Sequence, residues 1–586
     1  MFAVYFASDR SSSGKSTVTL AFSRKLKDEG YSLNLYKSGP DFIDPVILSR
    51  ALNSEIPVKN LDPFLIPDKF LTEWFFKEIS PEFPSVFGSA VNAGINFNGG
   101  ESKEAFIAES AMGLYDGNSF AAAKKFKFPV VLIMDCKKIS STMASLIYGM
   151  KNYKKGLNVC GVILNNISSE RHYEIIRDEI KENIGGVEVF GYIKNDENVF
   201  SLKERHLGLA VPEEDDGTGN KGMAAAIENK SGAEEKENKT ENKSGAFEKT
   251  VLKIKDAVFK NVDFDLMLNV LERNSKNFNA LIYGKNFEYK KYAGGKYGKK
   301  YGADNNNADN YNNSIGVKYA RGREDGSNGN NKTGKSALKV KIAVALDNAF
   351  FFYYNFNFDI LKKFGAEIVF FSPLKDKYLP AGIKAVYIGG GYPEIYGAAL
   401  ENNRCIKKEI YQFHKNNGII YAECGGLMYL CEKITYKGES FGACGIFPFE
   451  ASMDKGGLSL GYRTVRLKEK TFLGEAGLTV NGHEFHYSKL EPLALASALA
   501  SSTASSPVSS CACDAPALIY EDSSCIKTEF LETQVKTVME YESLSVPGIW
   551  KREGYNVLNT IGSYIHLSFY SNMLAAENIV KSAGDL

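Results

Sequence analysis

The chain begins with residues whose types and spacing could hold a polyphosphate. A short apolar strand is predicted at Phe2–Ala7, and a Ser/Gly loop and an amphipathic helix follow it. Small loop residues let backbone N–H groups close on phosphate oxygens, and a helix N-terminus adds its positive dipole end. The residues predicted to contact the nucleotide here are Ser13, Gly14, Lys15, Ser16 and Thr17. The pattern departs from the usual phosphate loop at Asp9, where a glycine is expected.

A second chemistry is predicted at the motif AECGGLMYL, residues 422–430. An apolar strand ends at Ala422, turns at Cys424 and enters a helix, which is typical of a nucleophile elbow with cysteine in place of serine. We expect the helix N-terminus to lower the pKa of the thiol and Cys424 to be a nucleophile. The turn GGGYPE also follows a strand, and Gly390 and Gly391 could supply oxyanion N–H donors.

A thiol nucleophile needs a base, and the chain has six histidines. His172 and His206 lie in the first part of the chain, and His414 is predicted to be exposed on a polar helix. The remaining candidates are His483, His486 and His566. Residue type alone does not choose among them, and an apolar strand around His566 also fits a structural core histidine.

Composition limits the classes of function. With 586 residues, two or three domains are expected. Lys and Arg total 71 against 70 Asp and Glu, so no bulk charge attracts nucleic acid or an anionic membrane. Nine cysteines lack metal-type spacing, which favours free thiols in a reducing cytoplasm. We expect no membrane helix and no signal peptide.

The order of elements predicts an α/β protein of two domains joined by a linker. Strands and helices alternate over 1–212 and again over 340–575, which indicates mostly parallel sheets. Residues 213–339 are predicted to be a low-complexity, mostly disordered linker with a short ordered segment near 251–283. An Ala/Ser-rich insert is predicted near 491–545.

Together these motifs resemble the cobyrinate a,c-diamide synthase family, the glutamine-dependent amidoligases of corrinoid biosynthesis. The resemblance lies in KSGPDFIDP (37–45), NLDPF (60–64), ESAMGLYDG (109–117), RHLGLAVPEE (205–214), GGGYPE (389–394), AECGGLMYL (422–430), GYR (461–463), GHEFHYS (482–488) and GSYIHLSF (562–569). It implies an N-terminal P-loop domain like dethiobiotin synthetase and a C-terminal domain like class I glutamine amidotransferases. The activity implied is ATP-dependent amidation of the a and c carboxylates of cobyrinate through an acyl phosphate.

The resemblance also assigns roles to residues of this chain. Cys424 and His566 would be catalytic without the usual acidic third member, and Ser568 stands where the family usually has a second histidine. ATP and Mg²⁺ are the implied cofactors. Lys37 would neutralise phosphate charge, and the implied Mg²⁺ ligands are Ser16, Asp41 and Glu109. The residues implied near the substrate are Asp44, Asp62, Tyr115, His483, His486 and Tyr487.

Other readings remain open from the sequence. Hydrogenobyrinate or Ni-sirohydrochlorin could replace cobyrinate, and a non-catalytic P-loop ATPase with a degenerate glutaminase would lack the Cys or the His. The stretch KKYAGGKYGKKY invites a nucleic-acid interpretation, but a disordered insert is favoured. The expected partners are small molecules, namely a tetrapyrrole, L-glutamine and ATP, with no nucleic acid and no membrane. Oligomeric state is not readable.

Overall fold

The computed structural model describes most of the chain. The described residues are 1–52, 58–72 except 69, 75, 103–195, 237–282, 339–493 and 535–586, with side chains omitted at 43, 46 and 237–246. The motif at 205–214, most of the predicted linker and most of the predicted insert lie outside these ranges. None of the described helices is both long enough and apolar enough to span a membrane.

The N-terminal domain is built on a parallel sheet of seven strands in the order β3-β2-β4-β1-β5-β6-β7. The strands are β1 (Phe2–Ala7), β2 (Ser32–Ser38), β3 (Val58–Asn60), β4 (Glu104–Ser110), β5 (Pro129–Asp135), β6 (Asn158–Ile167) and β7 (Glu188–Lys194). The first helices are α1 (Lys15–Asp28), α2 (Ile43–Ala51), α3 (Ser119–Lys125), α4 (Thr142–Asn152) and α5 (Glu170–Asn183). Every residue of β1 is buried, as expected when helices cover both faces of a parallel sheet.

The register of this sheet brings the loop after β1 and the motifs at 37–45 and 109–117 to the same edge of the sheet. Lys37 at the end of β2 pairs with Glu109 at the end of β4, and Phe6 near the end of β1 pairs with Glu109 from the other side. The loops after β1 and β2 therefore leave the sheet at its carboxyl edge, on either side of β4. Ligands of open parallel sheets bind at this edge.

Two more helices, α6 (Glu237–Phe259) and α7 (Phe264–Asn274), complete the N-terminal domain. Val258 and Leu271 lie in the same apolar core as β1, and the Ser275 hydroxyl accepts from Ala3 N–H at 2.9 Å. The order begins before the predicted 251, because Phe247 already packs on this core. The segment therefore belongs to the domain that it follows, although the predicted boundaries assigned it to the linker.

The C-terminal domain contains a mixed sheet of ten strands and a smaller sheet of four. The orders are β21-β16-β15-β18-β19-β20-β11-β10-β8-β9 and β13-β12-β14-β17. The strands are β8 (Val340–Ala345), β9 (Ala366–Phe371), β10 (Ala385–Ile388), β11 (Ile419–Glu423), β12 (Cys431–Tyr436), β13 (Glu439–Gly442), β14 (Phe447–Ser452), β15 (Ser459–Leu467), β16 (Thr479–His486), β17 (Lys489–Pro492), β18 (Lys536–Ser543), β19 (Val546–Val557), β20 (Thr560–Ser563) and β21 (Ile565–Leu567). The helices are α8 (Asn355–Lys363), α9 (Gly397–Asn402), α10 (Arg404–Lys415), α11 (Gly425–Leu430) and α12 (Leu574–Gly584).

Two boundaries of this domain differ from those predicted. Strand β18 lies inside the predicted insert at 491–545, yet it pairs with both β15 and β19 in the large sheet. Helix α12 runs beyond residue 575 and buries Ile579 and Ala583 in the domain core. In both places apolar residues pack on the domain although an Ala/Ser-rich stretch precedes them or the chain end follows them.

The packing of 247–282 on the N-terminal domain can be tested at Phe278, whose ring contacts those of Phe75, Phe106 and Phe128. We expect Phe278→Ala to lower the free energy of unfolding of the N-terminal domain by about 3–5 kcal/mol, because it leaves a cavity among buried rings. Urea denaturation measures this change. The matched control is Lys276→Ala at an exposed position of the same segment, and equal stability of the two variants would contradict the packing.

Candidate active site

The loop after β1 forms a phosphate-type cradle at the start of α1. Gly14 has a φ of 94°, and a Cβ atom there would lie 2.3 Å from Asn165 Nδ2, so only glycine fits. Lys15 Nζ is folded back on the loop and donates to Ser8 Oγ at 2.8 Å and to Arg10 O at 2.9 Å. Burial lowers the pKa of Lys15 to about 8. These loop acceptors hold the ammonium where phosphate oxygens could replace them.

Asp9, where the chain departs from the usual loop, pairs with its neighbour Arg10. Arg10 forms a salt bridge with Asp9 and a second one with Asp135 at 2.9 Å. Asp9 Oδ1 also accepts a long hydrogen bond from the Ser13 hydroxyl at 3.2 Å. Asp9 therefore stabilises the loop conformation, and its charge is already paired with Arg10.

Thr17, also predicted to contact the nucleotide, lies half-buried in the first turn of α1.

Three carboxylates surround the buried ammonium of Lys37. Lys37 is 2 % exposed, and its Nζ lies 2.7 Å from Glu109 Oε1, 3.4 Å from Asp41 Oδ2 and in a salt bridge with Asp44. Burial opposes the charge of Lys37, but Asp44, Glu109 and Asp41 outweigh it, and its pKa lies well above the ordinary value. Burial alone would raise the pKa of Asp44, but the charge of Lys37 outweighs burial, and the pKa of Asp44 lies below its ordinary value.

The Ser16 hydroxyl joins this cluster. Its oxygen lies 2.7 Å from Glu109 Oε1 and 2.9 Å from Asp44 Oδ2, within hydrogen-bond distance of both carboxylates. Asp41, which the resemblance names as a Mg²⁺ ligand with Ser16 and Glu109, accepts at its Oδ1 from the N–H of Asp44 at 3.3 Å. No three His, Cys, Asp or Glu side chains in the described ranges form a cage that could hold an ion alone. Hydroxyl and carboxylate oxygens converging on Ser16 nevertheless match the hard oxygen donors that Mg²⁺ prefers beside phosphates.

The other predicted substrate residues of this domain lie apart from that cluster. Asp62 is buried and accepts from Tyr462 OH at 2.7 Å, from Asn118 Nδ2 at 3.1 Å and from two backbone N–H groups. Burial raises the pKa of Asp62. Because Tyr462 belongs to the C-terminal domain, Asp62 links the two domains. Tyr115 instead donates to the Met150 carbonyl at the end of α4.

In the C-terminal domain the chain forms a strained elbow at Cys424. Its φ is 50° and its ψ is −105°, which is a sparsely populated region for a non-glycine residue. Its N–H donates to Ser563 O at 2.7 Å, and its Sγ lies 3.6 Å from Phe485 O. A Cβ at Gly425 would lie 3.0 Å from Gly391 N. The elbow is therefore packed directly on the GGGYPE turn.

The expectation of a lowered thiol pKa was wrong. Burial, together with the charges of Glu394 and Glu423, raises the pKa of Cys424 well above its ordinary value. Cys424 is 5 % exposed, and the dipole of the six-residue helix α11 is too small to offset the effect of this burial on the thiol pKa. The thiol therefore needs a neighbouring base.

The predicted oxyanion donors differ in their availability. Gly390 N–H already donates to Phe352 O at 3.3 Å, and Gly390 O accepts from Phe352 N–H at 3.0 Å. Gly391 N–H donates to no described residue and lies beside Gly425. Gly425 directs its own N–H at the Cys424 sulfur. The pair best placed for an oxyanion is therefore Gly391 and Gly425, and sequence reasoning missed Gly425.

The structure places His483, His486 and His566, the three candidate bases from the sequence, in different surroundings. His566 lies on β21 with its ring over Gly390, where an added Cβ would meet Cε1 at 2.5 Å. His483 faces it across the β16–β21 pair, and burial followed by the charge of His566 lowers the pKa of His483 to about 3. His414 was predicted to be exposed but is buried, with Nδ1 2.7 Å from Thr560 Oγ1.

The rest of GHEFHYS is held by its own strand neighbours. His486 Nδ1 lies 2.9 Å from Ser488 O, its Nε2 lies 2.9 Å from Glu484 Oε1, and its ring stacks on Tyr564. Both nitrogens of His486 therefore face acceptors. Tyr487 is half-buried with its ring edge-on to Phe485.

The two sites meet at Phe42. Its ring lies 4.9 Å from the His566 ring, 5.3 Å from that of Phe352 and 4.8 Å from that of Tyr354. Phe42 stands between Asp41 and Asp44 in sequence, so one short segment touches both the Lys37 cluster and the base of the second site. Nothing in the sequence pattern marked Phe42 for this position.

Two further hydrogen bonds close the interface around Phe42. Ser568 Oγ donates to Leu65 O at 2.5 Å, and Asn481 Nδ2 donates to Phe64 O at 3.0 Å. Ser568, which departs from the family motif, therefore serves as a domain contact.

Comparison with known proteins agrees with this two-site arrangement. Residues 4–209 match the CobQ/CobB/MinD/ParA nucleotide binding domain, and residues 341–511 match the CobB/CobQ-like glutamine amidotransferase domain. A protein of Picrophilus torridus named cobyrinate a,c-diamide synthase is 30% identical, over 82% of this chain and 87% of its own. The chain belongs to the cobyrinate a,c-diamide synthase family.

Two more relatives with that name support the assignment. The Listeria innocua protein is 29% identical over 97% of this chain and 96% of its own, and the Streptococcus sanguinis protein is 30% identical over 82% and 84%. The chain is therefore an ATP-using, glutamine-dependent ligase, and the predicted α/β fold of a P-loop domain with an amidotransferase domain is confirmed.

In this member of the cobyrinate a,c-diamide synthase family, the contact between the two sites can be tested at Phe42. We expect Phe42→Ala to raise the glutamine hydrolysed per amide formed by about 2- to 30-fold, the effect of losing a coupling of roughly 0.5–2 kcal/mol. Parallel assays of glutamate and amide give this ratio. The matched control is Phe70→Ala, which alters another aromatic contact, with Tyr570, and should leave the ratio unchanged. An unchanged ratio in Phe42→Ala would show that the contact is only structural.

Proposed function

We propose that the chain amidates the a and c carboxylates of cobyrinate, using ATP for activation and glutamine as the nitrogen source. The observation that supports this most directly is the contact of Phe42 with His566, because the segment of Phe42 also carries carboxylates of the Lys37 cluster. The cytoplasm is the proposed compartment, and the six described cysteines are all free thiols.

The first half-reaction releases ammonia from glutamine. Cys424 Sγ attacks the side-chain amide carbon while His566 accepts the thiol proton, and the N–H groups of Gly391 and Gly425 donate to the oxyanion. The C–N bond then breaks, and the imidazolium returns its proton to the leaving nitrogen, which departs as NH₃. Water next hydrolyses the thioester and gives glutamate.

The second half-reaction activates a substrate carboxylate. A carboxylate oxygen attacks the γ-phosphorus of ATP, the bond to ADP breaks, and an acyl phosphate results. Ammonia then attacks the acyl carbon, phosphate leaves, and the product is a primary amide. Lys15 and Lys37 stabilise the charge on the moving phosphoryl group, since such transfers depend mainly on positioning and electrostatics.

A metal ion fits beside these lysines. Mg²⁺ would be held by Ser16 with Asp44 and Glu109, and it would neutralise phosphate charge. Asp41 would then act by holding Asp44 and Lys37 in place.

The interface would carry ammonia from one site to the other. His483 packs on Tyr462, which donates to Asp62. His483 also pairs across the strands with His566, whose ring contacts Phe42. The low pKa of His483 keeps its ring neutral near pH 7, so this imidazole does not protonate ammonia in passing. A buried route also keeps the ammonia away from bulk water.

The division of labour is tested with two nitrogen sources. Cys424→Ser should reduce glutamine-driven amidation by about 10³-fold or more, because the reaction loses its nucleophile. The same variant should keep amidation driven by added ammonium chloride, which does not use the thiol. Product is measured by chromatography of the amidated tetrapyrrole, and loss of both activities in a folded variant would refute the assignment.

A substitution at Lys15 should affect amidation from both nitrogen sources, unlike one at Cys424. Lys15→Ala should lower amidation from both nitrogen sources by about 10²- to 10³-fold, because it removes a cation from the moving phosphoryl group. Lys25→Ala, in the last turn of the same helix, is the control and should keep both activities. Comparing turnover on cobyrinate, hydrogenobyrinate and Ni-sirohydrochlorin then identifies the macrocycle. Normal amidation by Lys15→Ala would overturn the phosphate-loop assignment.

A further inference from the structure

One ring nitrogen of His566 is buried beside a carboxylate. Nδ1 of His566 is buried and makes no hydrogen bond with the described residues. Glu423 Oε2 lies 3.5 Å from this nitrogen, and both side chains are 1 % exposed. This is longer than a good hydrogen bond, but catalytic hydrogen bonds are often long before substrate binds.

Glu423 is held in place by donors from three directions. Its Oε1 accepts from Tyr421 OH at 2.8 Å and from Leu567 N–H at 2.9 Å, and its Oε2 accepts from Tyr387 OH at 2.8 Å. Burial, followed by the charge of Glu423, raises the pKa of both tyrosines well above the ordinary value, so both remain donors. A carboxylate oxygen can accept two hydrogen bonds, and Oε2 has received one.

The clamp on Leu567 also fixes the imidazole itself. Leu567 directly follows His566 on β21, and Glu423 directly precedes Cys424 at the end of β11. One carboxylate thus ties the strand of the base to the strand that delivers the nucleophile. Ser568 is the next residue on the base strand, but its hydroxyl already donates to Leu65 O.

We propose that Glu423 is the acidic positioning residue of the glutaminase site, which holds His566 with Nδ1–H toward Oε2 and Nε2 free to exchange protons. This inference rests on the proposed function of Cys424 and His566. A buried carboxylate on Nδ1 fixes the tautomer of the imidazole and stabilises the imidazolium that forms when the thiol loses its proton. The carboxylate itself forms no covalent bond.

The surroundings allow this charge effect to be isolated. The titratable groups that face His566 are Glu423 on β11 and His483 on β16, and His483 is neutral in the working range. Glu394 and Glu484 act on the Cys424 thiol, as Glu423 does, so the thiol keeps two of its three acidic neighbours when Glu423 is replaced. Replacing Glu423 therefore removes the one carboxylate that lies within 4 Å of the His566 imidazole in the described part of the chain.

The test compares Glu423→Gln with the wild-type full chain across pH. We expect glutaminase kcat to fall by about 10- to 100-fold with little change in KM, as when an acid–base pair loses its orientation. The acidic limb of kcat should move to lower pH by about one unit or more, because the neutral amide no longer stabilises the protonated imidazole. Ammonium-driven amidation should remain normal and report that the protein is folded.

Two further variants separate charge from structure. Glu423→Asp keeps the charge, so its acidic limb should stay in place while kcat falls by a smaller factor. Glu553→Gln changes another buried carboxylate, which accepts from Ser563 Oγ at 2.7 Å and from Tyr564 N–H, and it should leave the limb unmoved. If Glu423→Gln does not fold, a normal kcat in Glu423→Asp overturns the proposal.

Failure of the Glu423 proposal and failure of the proposed function would give different results. An unchanged kcat and pH profile in folded Glu423→Gln, or an equal shift in Glu553→Gln, would overturn the role of Glu423. Failure of the proposed function would appear in the wild type, as glutaminase without amidation of cobyrinate from either nitrogen source.

Discussion

The ion pairs of Lys37 fix the position of the residues on which both sites depend. An ammonium that is 2 % exposed is stable only when it is paired, and here Asp41, Asp44 and Glu109 surround it. Removing one partner would leave charge buried without compensation. The backbone of 37–44 is therefore constrained at both ends, and Phe42 has little freedom to leave the ring of His566.

This constraint explains why the two domains form one enzyme. The segment that brings Asp44 to the Ser16 hydroxyl also brings an aromatic ring to the proposed base of the other site. Around that ring, Asp62 and Ser568 contribute hydrogen bonds that cross between domains. A change in the phosphate-type cradle that moves Asp41 or Asp44 must move Phe42 as well, so we infer that substrates in one site influence the chemistry of the other.

Local sequence was sufficient for the parts of each site that lie on consecutive residues. The loop at Gly14–Lys15 and the elbow at Cys424 are strand–turn–helix units, and their geometry follows from glycine positions and short-range strand ends. The fold class was predictable for the same reason, because alternating apolar strands and helices require a parallel sheet. Family resemblance then supplied roles that no spacing rule contains.

Long-range register and burial were not readable from sequence. Asp44, in the first turn of α2, reaches the Ser16 hydroxyl, whereas Asp41 lies before the helix. The N–H of Gly390 is occupied, because it donates to the carbonyl of Phe352. The thiol pKa of Cys424 rises because burial exceeds the effect of a short helix. Glu423 and Phe42 were overlooked since their importance depends on β21, which lies more than a hundred residues away in sequence from each.

The central claim is that the residues 37–44 connect the nucleotide site with the glutaminase. Its most direct test is the rate of glutamate formation by the wild-type chain, with glutamine alone and after addition of cobyrinate with a non-hydrolysable ATP analogue and Mg²⁺. The account predicts that the added ligands raise kcat for glutamine hydrolysis, although no amide can form. A rate that is the same with and without them would contradict it.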